Sequence, residues 1–419
     1  MTSPSPSPTL RTPAFFVVLF LVLGLVQVIP AVLEAATDRT GDLGRHWVVT
    51  QYIIHRVNPY PIAFEALRAR YGILAPRGPV HLRDIKIYTT PKTGPHPQTD
   101  PVLGVPEAVY PPMAIMTLLP LGFLPVDVVR FLWLIVNVAA ILLVTHELYL
   151  LTGPGPLRWL LILGLVTAWP AVSYCLAREQ LSLLALCCIL VARRLEPGFP
   201  IVAGLLYGVS MVKPGLAVPF LLLPFLARRI TVLAVFAASQ LALLGTMCWW
   251  VYATPIDLLR EWLSVAVYVR QGMYTVQDLI NLLHLDGTIA DAGSQVIILL
   301  LTLMVASRLG FEKRIAFLAV VSCIWSYHAL YDFCAMLVVV ALMVEARVDR
   351  RWMLSAAALC VVAIGLTRPV YGGTTMAERG IRWATRLSLA VLVVSVTQTE
   401  FLAGPSERRG SPYGLVAER

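Results

Sequence analysis

The sequence predicts an all-α polytopic membrane protein, a bundle of about 11–13 transmembrane helices with a long extracytoplasmic first loop. Three observations predict it. Of 419 residues, 58% are hydrophobic and only 14% charged, with a mean hydropathy of +0.76, whereas a soluble globular protein carries about 25% charged residues. The apolar residues come in long blocks, many near the ~20 residues that a helix needs to cross a hydrocarbon core. The basic residues sit in short loops between those blocks, which is how a membrane protein orients itself.

This composition excludes an ordinary cytosolic enzyme, a disordered scaffold and a disulfide-stapled secreted module. The 33 Lys+Arg against 24 Asp+Glu give a net charge of +9, but no continuous basic face is present, so no nucleic acid is expected as a partner. The seven cysteines (175, 187, 188, 248, 323, 334 and 360) all lie in or beside apolar segments. Their count is odd and none has zinc-like neighbours, so they read as small buried hydrophobes.

Residues 1–12 (MTSPSPSPTLRT) form a Ser/Pro-rich tail expected to be disordered and cytoplasmic. Residues 13–402 form a single transmembrane domain. Its first apolar run, 13–33, is longer than the ~7–15 apolar residues of a signal peptide and reads as an uncleaved helix. Residues 34–109 are polar and too long for a turn, so they form a functional extracytoplasmic loop. Within it, 42–56 reads as a helix lying along the membrane surface, and 77–107, rich in Pro, Gly and Thr, as irregular chain.

Apolar segments follow at 111–126, 128–151, 157–176, 180–192, 199–212, 214–227, 230–252, 294–309, 314–327, 331–345, 352–367 and 384–399. Residues 253–293 form a second extracytoplasmic loop, and 403–419 a cytoplasmic tail. Several segments are short, and Pro120, Pro170, Pro219 and Pro224 interrupt others, as is tolerated where helices line a protein cavity. No internal repeat of the kind common in secondary transporters is evident.

Charge orients the bundle. Arg193-Arg194, Arg228-Arg229, Arg308 with Lys313-Arg314, and Arg347 with Arg350-Arg351 all read as cytoplasmic. The turn at Arg178-Glu179-Gln180 then lies outside, as does the 34–109 loop. An even number of crossings must separate Tyr110 from Ala177, yet three apolar segments lie there. One is therefore re-entrant or interfacial, and the stretch YPPMAIMTLLPLGFLP is the candidate. This parity gathers Asp42, Arg178, Glu179, Gln180, Lys213, the 253–293 loop and residues 328–332 on one face. Polar residues that interrupt apolar runs are functional candidates by default.

Asp42, followed by His46 and Trp47, stands just after the first helix, where a carboxylate can take a proton from an attacking hydroxyl. Taken alone it reads more readily as a solvated or capping aspartate, and Asp38 is a rival. Lys213, before Pro214, is either a lysine snorkelling at a helix end or a cation that neutralises a lipid-linked phosphate. His328, Tyr331 and Asp332 lie in CIWSYHALYDFC. There His328 and Asp332 share a face if the turn is helical, and they bind sugar or fix an imidazole tautomer; a loop histidine without a role is the plainer alternative. Arg178-Glu179-Gln180 reads equally as a simple hairpin. No Walker, HExxH, nucleophile-elbow or Gly-rich phosphate motif is present. An outward-facing enzyme without a nucleotide signature would take its activated donor from a lipid phosphate.

The ordered pieces GDLGRHWVVTQYIIHRVNPYP, VYPPMAIMTLLPLGFLP, REQLSLLALCCILVARR, VAGLLYGVSMVKPGLAVPFLLLPFLARR and WSYHALYD resemble glycosyltransferase family 87. That family contains GT-C-type membrane enzymes, among them mycobacterial polyprenol-phosphate-mannose-dependent mannosyltransferases. Each motif alone is weak; their order over most of residues 13–345 is more specific. The resemblance implies a GT-C-type bundle in a bacterial plasma (inner) membrane with an extracytoplasmic site. It implies Asp42 as catalytic base, Lys213 on the donor phosphate with help from Arg178, and His328 in the active site. Tyr60 of the NPY motif, Glu179, Gln180, Tyr331 and Asp332 are the expected substrate contacts. The family often carries Gly-Gln where this chain has Glu179-Gln180, and different aromatic residues where it has His46-Trp47.

The expected reaction is transfer of one hexose, mannose by resemblance, from a polyprenyl-phosphate-linked donor to a lipid or glycan acceptor, with inversion. The expected partners are that donor, the acceptor and membrane lipids. No cofactor and no metal are expected, although Asp84 and Asp100 are spare carboxylates that leave a metal open. The alternatives are a multi-helix transporter or lipid flippase, and a non-catalytic membrane scaffold.

Overall fold

In the computed structural model, which describes residues 14–37, 42–71, 108–152, 155, 157–270, 288–323, 325 and 330–345, proline marks where many helices begin and break. The first three are α1 (Ala14–Thr37), α2 (Asp42–Ile54) and α3 (Pro59–Tyr71). Then come α4 (Pro112–Leu118), continued by a 3-10 turn (Leu119–Phe123), and α5 (Val126–Leu151). Next are α6 (Arg158–Ala168), α7 (Pro170–Ala177), α8 (Ser182–Leu195) and α9 (Pro200–Ser210). The stretch from Pro214 is broken into α10 (Pro214–Ala217), a 3-10 turn (Val218–Leu221) and α11 (Leu222–Leu226). The chain continues with α12 (Ile230–Trp250), α13 (Pro255–Arg270), α14 (Thr288–Ala306) and α15 (Phe311–Ser322). A 3-10 turn (Leu330–Ala335) leads into α16 (Met336–Glu345).

Pro112, Pro170, Pro200 and Pro214 each open a helix, where the missing N–H costs nothing and φ is already set. Pro170 also forces Trp169 out of the helical region (φ −73°, ψ 121°), and α6 and α7 meet at a 60° bend. The expected segment at 157–176 is thus two helices. The 253–293 stretch, read as a loop, holds α13. The expectations for 77–107, 352–367, 384–399 and both tails lie outside the described residues.

Among the described residues, three helices are long and apolar enough to cross a membrane: α1 over Val17–Ala36, α5 and α12. The bent pair α6–α7 makes a fourth if counted as one span. The remaining apolar helices are shorter, so among the described residues the expected count of about 11–13 spans is met only in part by helices of full length. On α1, Val18, Val22, Leu25, Val26 and Ile29 are exposed and recur at helical spacing, a stripe suited to lipid. On α8, Leu183, Leu186, Ile189 and Leu190 are buried; this helix lies inside the bundle.

Small residues set the closest approaches. A β-carbon at Gly164 of α6 would come 2.9 Å from Cβ of Phe20 and 3.0 Å from the backbone N of Leu21 on α1. One at Gly204 of α9 would come 2.7 Å from the Val232 carbonyl on α12. Close backbone contact of this kind is how helices associate where no hydrophobic drive separates them from lipid.

Asn137 and Gln240 are buried mid-way along α5 and α12, but several buried charged residues gather at helix ends. At one end Arg194 pairs with the buried Glu147 at 2.7 Å, Arg193 lies over Phe311, and Glu196 has Arg229 and Arg193 as neighbouring charges. At the other end Arg130, near the start of α5, reaches Ala35 at the end of α1 and Glu179 after α7. So α5 runs from that end to the Arg194 end, and α6 with α7 returns. The stretch 112–123, the expected re-entrant or interfacial segment, packs against α2 and α12.

Candidate active site

α2 opens with Asp42, whose backbone N–H donates to the Arg178 carbonyl at 3.1 Å. This bond ties the start of α2 to the turn after α7. That turn has a helix-ending geometry in which Gln180 N–H reaches the Cys175 carbonyl at 2.9 Å and Glu179 N–H the Leu176 carbonyl at 3.2 Å. It requires a left-handed residue at position 179, and Glu179 has φ of 54°. Glycine is the unstrained occupant there. The Gly-Gln of the family that the sequence resembles and this chain's Glu-Gln therefore differ at a position where the backbone favours glycine. The Glu179 carboxylate is buried against Arg130 at 2.7 Å, an ion pair that a glycine would not offer.

The turn delivers Gln180, fully buried, so that its side-chain amide donates to Oδ2 of Asp42. Arg45, one turn along α2, lies 3.7 Å from the other carboxylate oxygen. Asp42 is thus oriented while 28% of its side chain stays exposed, enough to meet a substrate. Arg178 stands 3.7 Å from Glu34 and over the Tyr174 ring.

A second polar group forms where α9 ends. Pro214 keeps Lys213 out of the helical region (φ −133°, ψ 75°), and only 9% of the lysine side chain is exposed. Its ammonium donates to Oη of Tyr110 at 3.0 Å and lies 3.4 Å from Asp332. Ser182 Oγ donates to the same Asp332 oxygen at 2.6 Å. A buried ion pair survives only with such additional hydrogen bonds.

The two groups join. His46 shares a helix face with Asp42, and its ring meets the Tyr110 ring edge-on with centroids 4.6 Å apart. Ser182 lies two residues beyond Gln180. Contacts link Asp42 to Gln180, and Ser182, Asp332, Lys213, Tyr110 and His46 in series; the backbone itself joins Gln180 to Ser182 and, along α2, His46 to Asp42, which completes a circuit of contacts and chain. Beside it a small recess is lined by His46, Val49, Ala108, Tyr110, Ile115 and Leu118. Burial first, then the charges of Lys213 and Arg45, hold the His46 pKa down to about 3, so the imidazole is neutral.

Large side chains brace the backbone of this circuit. Tyr60, fully buried, donates its hydroxyl to the Tyr110 carbonyl at 2.8 Å. Trp262 donates to the Val109 carbonyl, Trp169 to Phe333 and Trp325 to Gly215.

Of the residues singled out in the sequence, Asp42, Gln180, Lys213 and Asp332 stand in the circuit, and Arg178 and Glu179 frame it. Tyr60 lies behind it, holding Tyr110. His328 and the side chain of Tyr331 lie outside the described residues, as do Asp38, Asp84 and Asp100. Tyr110, Ser182 and Arg130 were not singled out. Tyr110 sits in the quoted VYPP motif, and Arg130 interrupts an apolar run, the very signal used for Lys213.

Residues 108–366, more than half of the chain, match the family model of glycosyltransferase family 87. The chain belongs to glycosyltransferase family 87. No curated protein and no solved structure matches it. Family membership makes this an integral-membrane glycosyltransferase. The matched stretch carries Tyr110, Arg130, Arg178, Glu179, Gln180, Ser182, Lys213 and Asp332; Asp42 and His46 precede it.

Proposed function

We propose that this family 87 enzyme is of the GT-C type. In this reading it moves a hexose, mannose by resemblance, from a polyprenyl-phosphate donor to a lipid or glycan acceptor at the extracytoplasmic face. The observation that carries this reading is the circuit, in which the carboxylate of Asp42, oriented by Gln180, and the ammonium of Lys213, oriented by Tyr110 and Asp332, belong to one polar group. The Arg-bearing loops lie at the opposite end of the bundle, and a bias of basic loops marks the cytoplasmic side. Nucleotide sugars are absent outside the cell, so a lipid-linked donor is the natural one. A transporter would instead place its polar residues near the membrane midplane.

Asp42 takes the proton of the acceptor hydroxyl as its oxygen attacks the anomeric carbon. The bond from that carbon to the phosphate oxygen breaks, the electron pair leaves with the polyprenyl phosphate, and configuration inverts. Gln180 and the Arg178 carbonyl keep the carboxylate aimed. Lys213, positioned by Tyr110 and Asp332, stabilises the charge that grows on the departing phosphate, with Arg178 as the second cation. The broken stretch Pro214–Leu226 offers a path between helices for the polyprenyl tail.

The test is Asp42→Asn in purified protein of unchanged elution and melting behaviour, assayed for sugar transfer from polyprenyl-phosphate mannose. The rate should fall by about 10²–10⁴-fold. An unchanged rate rejects Asp42 as the base, and uptake into proteoliposomes without product favours transport.

A further inference from the structure

His46 stands between the proposed base and the proposed phosphate cation, and the mechanism above gives it no task. It follows Asp42 by one helical turn, which places the β-carbons about 5–6 Å apart on one face. Its ring rests against Tyr110, which in turn accepts from Lys213. It is 7% exposed, lines the recess beside the circuit, and its Nε2 has no hydrogen-bond partner among the described residues. A buried polar atom left unpaired costs about 1–3 kcal/mol. Phenylalanine or leucine would fill this apolar position without that cost.

A neutral imidazole carries one donor and one acceptor. That pairing matches a hydroxyl, which also does both, and suits a phosphate less well than the ammonium already present. In a single displacement the attacking oxygen, the anomeric carbon and the departing oxygen lie in line. The roles given to Asp42 and Lys213 then put the sugar ring between them, and His46, on the Asp42 face of α2, packs on the tyrosine that accepts from Lys213.

We propose that His46 hydrogen-bonds a hydroxyl of the hexose being transferred and so helps to set which sugar the donor carries. The inference rests on the roles given above to Asp42 and Lys213.

The experiment compares wild type with His46→Phe and His46→Leu, neither of which has a ring nitrogen. The donors are polyprenyl-phosphate mannose, glucose and galactose, and the singly deoxygenated form of each. Wild type should lose about tenfold or more in kcat/KM on the donor that lacks one particular hydroxyl, which is what one hydrogen bond is worth. The folded variants should turn over the parent donor about tenfold more slowly and show no further loss on that deoxy donor. Either variant decides the matter if the other fails to fold. Equal deoxy penalties in wild type and variant overturn the inference and leave the reading of Asp42 and Lys213 standing. Should wild type transfer sugar from none of these donors, both fall.

Discussion

The ammonium of Lys213 stands 3.4 Å from the carboxylate of Asp332, both buried, at the point where α9 gives way to Pro214. Removing one member of such a pair leaves the other charge uncompensated and costs about 3–5 kcal/mol. Lys213→Met should therefore lower the unfolding midpoint strongly, and the double variant Lys213→Met/Asp332→Asn should recover much of the loss. Sugar transfer should be absent from both. Thermal unfolding in detergent beside the transfer assay checks this, and equal midpoints for the single and double variants would contradict the pairing.

Glu179 gives a second test because two effects oppose each other there. Glu179→Ala removes the partner of Arg130 and keeps a β-carbon at φ 54°. Glu179→Gly removes the same partner but relieves about 1–2 kcal/mol of left-handed strain. The glycine variant should be the more stable of the two by about that amount, as read from unfolding midpoints.

Much of this was legible in the sequence. Hydropathy blocks located most helices, and arginine-bearing loops located one end of the bundle. Asp42, Gln180, Lys213 and Asp332 stood out because each interrupts or borders an apolar run. The partners that hold them were not legible. Ser182 meets Asp332 across 150 residues and Lys213 meets Tyr110 across 103, and contacts of that separation leave no trace in local spacing. The left-handed turn at Glu179 was hidden for a different reason. Glycine announces such a turn, and position 179 carries instead a glutamate whose ion pair with Arg130 is seen only in the fold.

The pH dependence of stability follows from His46. Its pKa is about 3 when folded against 6.5 for the free side chain, so the unfolded chain binds the extra proton. The stabilising contribution is complete above pH 6.5 and is lost progressively as pH falls toward 3. The apparent unfolding midpoint should drop over that window, and His46→Phe should show a smaller drop. A variant with the wild-type pH profile would contradict the neutral, buried imidazole.

Helix contact offers a test away from the site. Gly164→Ala places a methyl group against the Leu21 backbone, which cannot swing aside as a side chain would. Overpacking of this kind costs about 1–3 kcal/mol. Because α1 also carries Ala35 and Glu34, the partners of Arg130 and Arg178, the variant should lose activity as well as melting temperature. Gly198, with open space around it, should accept alanine without either loss.

The circuit draws on chain segments from residue 42 to residue 332, and its last member decides when it is complete. A polypeptide still being threaded from the ribosome holds Asp42, Gln180 and Lys213 long before Asp332 arrives to anchor the lysine. Half-made copies therefore lack the carboxylate that pairs with Lys213, and that buried ammonium gains its Asp332 partner only when most of the chain has been inserted.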